Sequence, residues 1–180
     1  MESHLTSDMF KGTMDEQAGT GTTFHDFRAR TIDGVEQDLS EYRGRLVLVV
    51  NTASECTFTP QLTALQELQD RFGEHGFTVL GFPSDQFRQE PGTDEEIKEL
   101  CTSTYEVSFP LFSKVDVNGP DAHPLWQWMC TQKAGVIGGR SAWNFTKFLI
   151  DGEGRVLRRY APPVPPARIA RRIETELGLR

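Results

Sequence analysis

Residues 46–62 read LVLVVNTASECTFTPQL, and this stretch decides which fold the chain can adopt. Its first five residues are apolar without alternation, which is typical of a strand buried on both faces of a parallel sheet. Thr59 and Pro60 suit the N-cap and the first position of a helix. An apolar stripe from Leu62 to Phe72 gives that helix one buried face. The stretch therefore predicts a buried strand, a loop with one cysteine, and a helix.

The sequence downstream continues this alternation of strands and helices. Residues 77–82 (FTVLGF) form a second apolar run that ends at Pro83, and Thr93 with Glu96 makes a capping box for a further helix. Later segments indicate a short helix (DAHPLWQWMC, 121–130), a hairpin (FTKFLID, 145–151, with VLRRY, 156–160) and a closing helix (PPARIARRIETELG, 165–178). This order predicts an α/β protein with a thioredoxin-like fold, in which helices flank a central mixed β-sheet.

Length, composition and charge limit the kinds of protein this can be. Residues 1–23 are polar and without periodicity and predict a flexible tail, whereas residues 24–180 predict one domain. The net charge of −7 argues against nucleic acid as a partner. No apolar run approaches the roughly 20 residues of a membrane span, so we expect no stable membrane insertion. The N-terminus has no signal-peptide pattern.

The cysteines argue against a disulfide framework and against a metal site. Three cysteines, Cys56, Cys101 and Cys130, are too few and too widely spaced for a disulfide scaffold, which favours a reducing, cytoplasmic location. We expect no metal site, because the Cys and His residues do not cluster at ligand spacing. Cys56 lies just before a predicted helix N-terminus, where free N–H groups favour the thiolate. The alternative is that Cys56 is simply a small buried apolar residue.

Three motifs resemble the signature segments of the glutathione peroxidase family, in that family's order: NTASECTFTPQ, GFPSDQFRQEPG and WNFTKFLIDGEGRV. The segments EEIKEL, SFPLFSKVDVNG and HPLWQWM resemble the same family, so the similarity covers residues 24–178. The resemblance implies a thioredoxin-like fold and the reduction of hydroperoxides by a cysteine. It implies no metal and no organic cofactor.

Carried over residue by residue, the resemblance makes Cys56 the peroxidatic cysteine and places Gln89, Trp143 and Asn144 in the catalytic set. These residue types suit the reaction, because amide and indole N–H groups can stabilise a thiolate and a leaving oxygen without being basic. Each residue also has a structural interpretation. Trp143 could be a core residue of a strand with Asn144 on its exposed face, and Gln89 could be an ordinary loop residue.

The resemblance also gives Cys101 a role, since thioredoxin-dependent members of the family commonly carry a resolving cysteine in this segment. Attack of Cys101 on oxidised Cys56 would form an intramolecular disulfide that thioredoxin could reduce. Alternatively, Cys101 shares a helix face with Ile97 and Leu100 and is a core residue, and glutathione is then the reductant. If Cys101 is resolving, we expect well-separated thiols in the reduced protein and local unwinding of its helix before they meet.

Some residues depart from the family pattern. The loop before Gln89 is one residue short, which makes Gln86 an alternative donor, and Glu55 would disfavour the thiolate if it faced the sulfur. The short connection between Met129 and Trp143 predicts a monomer. Three rival functions remain: a thiol redox sensor that passes peroxide oxidation to a partner protein, a binding module without chemistry, and a cysteine hydrolase that uses His75 or His123.

Overall fold

A four-stranded sheet forms the centre of the part of the chain that the computed structural model describes, residues 21–133 and 143–180. The strands and helices follow in this order: β1 (Arg28–Arg30), β2 (Glu36–Asp38), β3 (Leu46–Thr52), α1 (Gln61–Phe72), β4 (Phe77–Pro83), α2 (Asp94–Ser103), α3 (Pro124–Gln132), β5 (Lys147–Ile150), β6 (Val156–Tyr160) and α4 (Pro166–Glu176). The small strands β1 and β2 form a separate antiparallel pair.

The central sheet is mixed, as the sequence predicts. Its strand order is β4-β3-β5-β6, with β3 and β4 parallel and β5 antiparallel to β3. All seven residues of β3 and all seven of β4 are buried, which explains their unbroken apolar runs. The parallel strands β3 and β4 end at the edge of the sheet where antiparallel β5 begins. Loops from all three strands therefore meet at this edge.

Helices cover the two faces of the sheet and give it two cores. Leu48 of β3 points to the core that contains buried residues of α1, α2 and α4. Its neighbour Val49 points to the opposite core, which includes Trp126 of α3. Alternate residues of one strand thus serve opposite cores, as the two-residue period of a strand requires. None of the helices in the described ranges is long and apolar enough to cross a membrane.

Helix α1 begins one residue later than predicted, and Thr59 does not cap it. The helix starts at Gln61, and a turn with bonds from Gln61 N to Phe58 O (2.8 Å) and from Leu62 N to Thr59 O (3.0 Å) precedes it. The hydroxyl of Thr59 is occupied elsewhere, as described below for the cysteine loop. The predicted capping box of Thr93 and Glu96, in contrast, is confirmed at the start of α2.

Most of the predicted tail, residues 1–23, lies outside the described residues. Of its last three residues, Thr23 caps a short 3₁₀ turn at Phe24–Asp26 and accepts a hydrogen bond from His25 N. The connection between α3 and Trp143, on which the prediction of a monomer depends, also lies outside the described residues.

Candidate active site

The loop between β3 and α1 holds Cys56 in a turn that its own hydrogen bonds define. Cys56 is buried, with 8% of its surface exposed. Its backbone N–H donates to Thr59 Oγ1 (2.9 Å), and the Thr59 hydroxyl donates to Ala53 O (2.9 Å). The backbone N–H of Phe58 points at the sulfur and donates to Cys56 Sγ at 3.4 Å. The Cys56 sulfur is therefore held by a backbone donor of its own loop.

Trp143 and Asn144 approach the same edge of the sheet from the start of β5. The Trp143 side chain is 39% exposed, whereas Asn144 is fully buried, which is the reverse of the pattern expected if they merely alternated in a strand. Asn51 at the end of β3 donates through Nδ2 to Trp143 O (3.0 Å) and accepts from Phe145 N (2.7 Å) through its backbone carbonyl. These bonds fix the Trp143–Phe145 segment against the loop that leads to Cys56.

Gln89 connects the cysteine loop to Asn144. Its backbone carbonyl accepts from the N–H of Glu55, the residue before Cys56, at 2.9 Å. Its side-chain Oε1 accepts from Asn144 Nδ2 at 2.9 Å. Because Asn144 donates to the oxygen of the Gln89 amide, the NH₂ group of Gln89 is the end of that amide that can donate to another group. Gln89 is thus held by both neighbouring segments and is not an unconstrained loop residue.

Gln86, the alternative donor, is committed to a different part of the protein. Its Oε1 accepts from the backbone N–H groups of Val117 (2.9 Å) and Asn118 (2.8 Å), and its Nε2 donates to Asn118 O (2.6 Å). The side chain therefore anchors the segment before α3. In the shorter loop, Arg88, the residue before Gln89, adopts a left-handed backbone conformation with φ of 57°.

Cys101 lies on α2, is 3% exposed, and belongs to the same hydrophobic core as Cys56. None of the three cysteines, Cys56, Cys101 and Cys130, all of which lie in the described ranges, is in a disulfide. Burial, reinforced by the charge of Glu90, raises the pKa of the Cys101 thiol to about 12. In this closed arrangement Cys101 is therefore a neutral thiol and not a nucleophile.

Glu90 is a residue that the sequence interpretation did not single out. It follows Gln89, is 2% exposed, and accepts a hydrogen bond from Ser54 Oγ in the cysteine loop. Burial raises the pKa of the Glu90 carboxyl to about 7, although the Ser54 hydroxyl and Lys114 act in the opposite direction. The sequence signal was available in the QEP motif, where an acidic residue stands beside the proposed donor.

The positions of Glu55, His75 and His123 bear on the alternatives that the sequence left open. Glu55 is exposed, and its charge raises the pKa of Glu90. His75 is exposed in the turn after α1, a whole helix away from Cys56. His123 caps α3, where its Nδ1 accepts from Leu125 N at 3.1 Å. These positions give the hydrolase interpretation no support. The described residues also contain no group of His, Cys, Asp or Glu side chains arranged for a metal ion.

The fold and the site together define a class of protein: a thioredoxin-like α/β domain with a buried thiol at the edge of its sheet and a backbone N–H group that donates to its sulfur. Such a site suits thiol-based redox chemistry. The particular family follows from comparison with known proteins. Residues 24–130 match the family model of glutathione peroxidase, and the chain belongs to that family.

Two relatives show how far the similarity extends. A glutathione peroxidase homolog, BsaA, from Halalkalibacterium halodurans is 51% identical over 153 residues, which cover 84% of this chain and 98% of that protein. The hydroperoxy fatty acid reductase gpx1 from Synechocystis sp. is 48% identical over 164 residues, which cover 87% of this chain and 97% of that protein. The predicted family and the predicted enzyme class are confirmed: the chain is a peroxidase.

Solved structures confirm the predicted fold. A structure described as Trgpx in apo form matches with a TM-score of 0.73 and 40% identity, covering 88% of this chain and 97% of that one. A thioredoxin-family thiol:disulfide interchange protein from Chlorobium tepidum matches with a TM-score of 0.66 at 20% identity, covering 87% of this chain and 97% of that one. The second match establishes the thioredoxin-like fold alone.

Proposed function

We propose that the protein reduces hydrogen peroxide and organic or lipid hydroperoxides at Cys56, forms a disulfide with Cys101, and is reduced again by thioredoxin. The main support is the set of hydrogen bonds that joins the Cys56 loop, Gln89 and Asn144 at one edge of the sheet. These bonds support the proposal because they link the Cys56 loop to two residues whose side-chain amides are neutral donors.

In the first step the Cys56 thiolate attacks one peroxide oxygen. An S–O bond forms, the O–O bond breaks, and the other oxygen leaves with the bonding pair as hydroxide or alkoxide, which takes up a proton. Cys56 is oxidised by two electrons to a sulfenic acid, which retains one of the two peroxide oxygens. The other peroxide oxygen is released as water or as an alcohol. The Gln89 NH₂ group and the Trp143 indole N–H stabilise the oxygen on which charge develops.

In the second step the Cys101 sulfur attacks the sulfenic sulfur. The S–O bond breaks, an S–S bond forms, and the hydroxyl leaves as water with the proton from the Cys101 thiol. Thioredoxin then reduces the disulfide by thiol exchange. Because Cys101 is buried on α2, this step requires local opening of that helix before the sulfur atoms can meet.

A lipid hydroperoxide is a reasonable substrate for this site. Trp143 is 39% exposed and packs against Phe87, with ring centroids 4.9 Å apart and an angle of 39° between the rings, and it offers an apolar surface for an alkyl chain. The relative from Synechocystis is named for hydroperoxy fatty acids, which supports the same substrate class.

A glutathione-dependent mechanism with one cysteine is the second candidate. The burial of Cys101 and its raised pKa favour this candidate, because a neutral core thiol does not attack a sulfenic acid. Glutathione would then react with oxidised Cys56 directly, and α2 would remain closed throughout the cycle.

The deciding experiment is peroxide-dependent NADPH oxidation, run in parallel with thioredoxin plus its reductase and with glutathione plus its reductase. Cys101→Ser is the test variant. Cys130→Ser is the matched control, because Cys130 is an equally buried cysteine in the opposite core. We expect turnover with thioredoxin that Cys101→Ser abolishes and Cys130→Ser preserves. Glutathione-dependent turnover that survives Cys101→Ser would establish the one-cysteine mechanism instead.

If neither reductant supports turnover, stoichiometric oxidation of a partner thiol by oxidised Cys56 would identify the protein as a redox sensor.

We further propose that the protein acts as a monomer in the cytoplasm, where thiols are kept reduced. Light scattering of the reduced protein tests the oligomeric state, and fractionation of cells tests the location.

A further inference from the structure

Glu90 joins three segments of the proposed site. Its carboxylate accepts from Ser54, two residues before Cys56, and its backbone N–H donates to Asp85 Oδ1 at 3.0 Å. Its backbone carbonyl accepts from Lys114 Nζ at 3.1 Å, and the Lys114 N–H in turn donates to Asp94 Oδ1 in the first turn of α2 at 3.1 Å. Glu90 therefore connects the cysteine loop to the helix that carries Cys101.

The surroundings of Glu90 disfavour a negative charge. Burial has the largest effect, and the carboxylates of Asp85 and Glu55 add repulsion. The Ser54 hydroxyl and the Lys114 ammonium partly offset these effects. On the side of α2, Cys101 interacts with the Glu90 charge. The ionised form of Glu90 is thus destabilised in the closed protein, and contact with water would stabilise it.

We propose that Glu90 is a positioning residue that keeps α2 closed over Cys101 while its carboxyl is protonated and releases the helix when it ionises. This inference rests on the proposed two-cysteine function and makes the resolving step, not the peroxide step, dependent on Glu90. Peroxide attack at Cys56 needs the closed site with Gln89 and Asn144 in place. Disulfide formation needs the open one.

The direction of the pH effect follows from linkage. The pKa of Glu90 is about 7 in the closed protein, against an ordinary value of 4.5. Because protonation favours the closed form, the closed form is most strongly favoured below pH 4.5. This preference decreases as the pH rises and is lost above the pKa of about 7. The opening equilibrium would rise by at most roughly 300-fold in total, and by about 70-fold between pH 5 and pH 8.

Thiol labelling of the reduced full-length chain tests this without peroxide or reductant. The protein is exposed to iodoacetamide at pH values from 5 to 8, and the Cys101 peptide is quantified by mass spectrometry. Dividing each rate by that of free cysteine at the same pH removes the effect of thiolate formation. The Cys130 peptide from the same sample is the internal control.

We expect the normalised labelling of Cys101 to rise 10- to 100-fold across this range in the native chain and to stay flat in Glu90→Gln. Glu95→Gln, which changes an exposed carboxylate on the same helix, should behave like the native chain. The inference is overturned if native Cys101 labelling is independent of pH, if Glu90→Gln retains the rise, or if Cys130 shows the same rise.

A second variant keeps the test independent of the folding of Glu90→Gln. Ser54→Ala removes a hydrogen bond that favours the ionised carboxylate, so the midpoint of the labelling transition should move to higher pH. An unchanged or lower midpoint would contradict the proposal. Because labelling needs no turnover, a chain that shows the Glu90 transition but no thioredoxin activity would refute the proposed function and leave the control of Cys101 by Glu90 intact.

Discussion

Lys147→Met should change how the stability of this protein depends on pH. Lys147 is the third residue after Asn144, and its side chain is fully buried on β5. Its ammonium donates to the backbone carbonyls of Pro162 (3.1 Å) and Val164 (2.9 Å) and so holds the segment before α4. Burial lowers the pKa of Lys147 from 10.5 to about 7.

The pKa difference gives the size of the effect. Between pH 7 and pH 10.5 the unfolded chain binds more protons than the folded one, so the free energy of unfolding rises with pH in this window. The full contribution of Lys147 is about 5 kcal/mol, and roughly 2 kcal/mol of it falls between pH 7 and pH 9. Replacement by methionine removes the buried charge and leaves the Val164 carbonyl without its donor, at a cost of about 1–3 kcal/mol.

We therefore expect Lys147→Met to be more stable than the native protein by about 1–3 kcal/mol at pH 7 and nearly equal to it at pH 9. Urea denaturation at pH 7, 8 and 9, followed by tryptophan fluorescence, measures the difference. Lys98→Met is the control: its exposed ammonium contacts Asp33, so its difference from the native chain should be within about 1 kcal/mol and independent of pH. A pH-independent difference for Lys147→Met would refute the reasoning.

Three further substitutions test the site. Gln89→Ala should slow the oxidation of Cys56 by peroxide by about 100-fold in stopped-flow measurements, because one N–H donor is lost, while Gln86→Ala should leave that rate nearly unchanged. Thr59→Val should lower the free energy of unfolding by about 1–3 kcal/mol, since Cys56 N and Ala53 O both lose a partner, whereas Thr57→Val in the same loop serves as an exposed control. Arg88→Gly should raise the midpoint of urea unfolding by relieving a left-handed backbone worth about 1 kcal/mol, and a lower midpoint would contradict this.

The elements that the sequence predicts well are those that depend on local patterns. Strand β3 is predicted by five consecutive apolar residues, all of which are buried in the sheet. The capping box at Thr93 and Glu96 needs only residues within one turn of helix. The stripe from Leu62 to Phe72 has the period of a helix, and its apolar members face one core.

Features that depend on distant contacts could not be predicted in the same way. Thr59 fits an N-cap by residue type, but the loop offers its hydroxyl two partners outside the helix, Ala53 O and Cys56 N. Gln86 and Gln89 are equivalent as residue types, and only the contacts of Gln86 with residues 117–118 distinguish them. The burial of Glu90 likewise depends on segments that are far apart in sequence, such as Lys114.

Two residues of the candidate site, Gln89 and Asn144, lie next to residues with a left-handed backbone conformation. Among the described residues, the non-glycine positions with positive φ are Arg88 (57°), Glu106 (54°) and Phe145 (64°). Arg88 precedes Gln89, and Phe145 follows Asn144. Each conformation costs about 1–2 kcal/mol for an L-residue, so tertiary contacts must impose it. At Phe145 the hydrogen bond to Asn51 and complete burial do so.

Glu106 is exposed, as Arg88 is, but it differs from the other two residues in that it follows the end of α2. The turn there is closed by a bond from Val107 N to the carbonyl of Cys101 itself (3.0 Å). Opening the end of α2 would break this bond and would also release the left-handed conformation of Glu106. The relieved backbone strain would offset part of the free energy needed to expose Cys101. Gln89 and Asn144 are joined to each other and to Glu55 by hydrogen bonds, whereas the end of α2 is followed at the surface by the left-handed Glu106. This difference is the physical reason to expect that α2 opens while Gln89 and Asn144 stay in place.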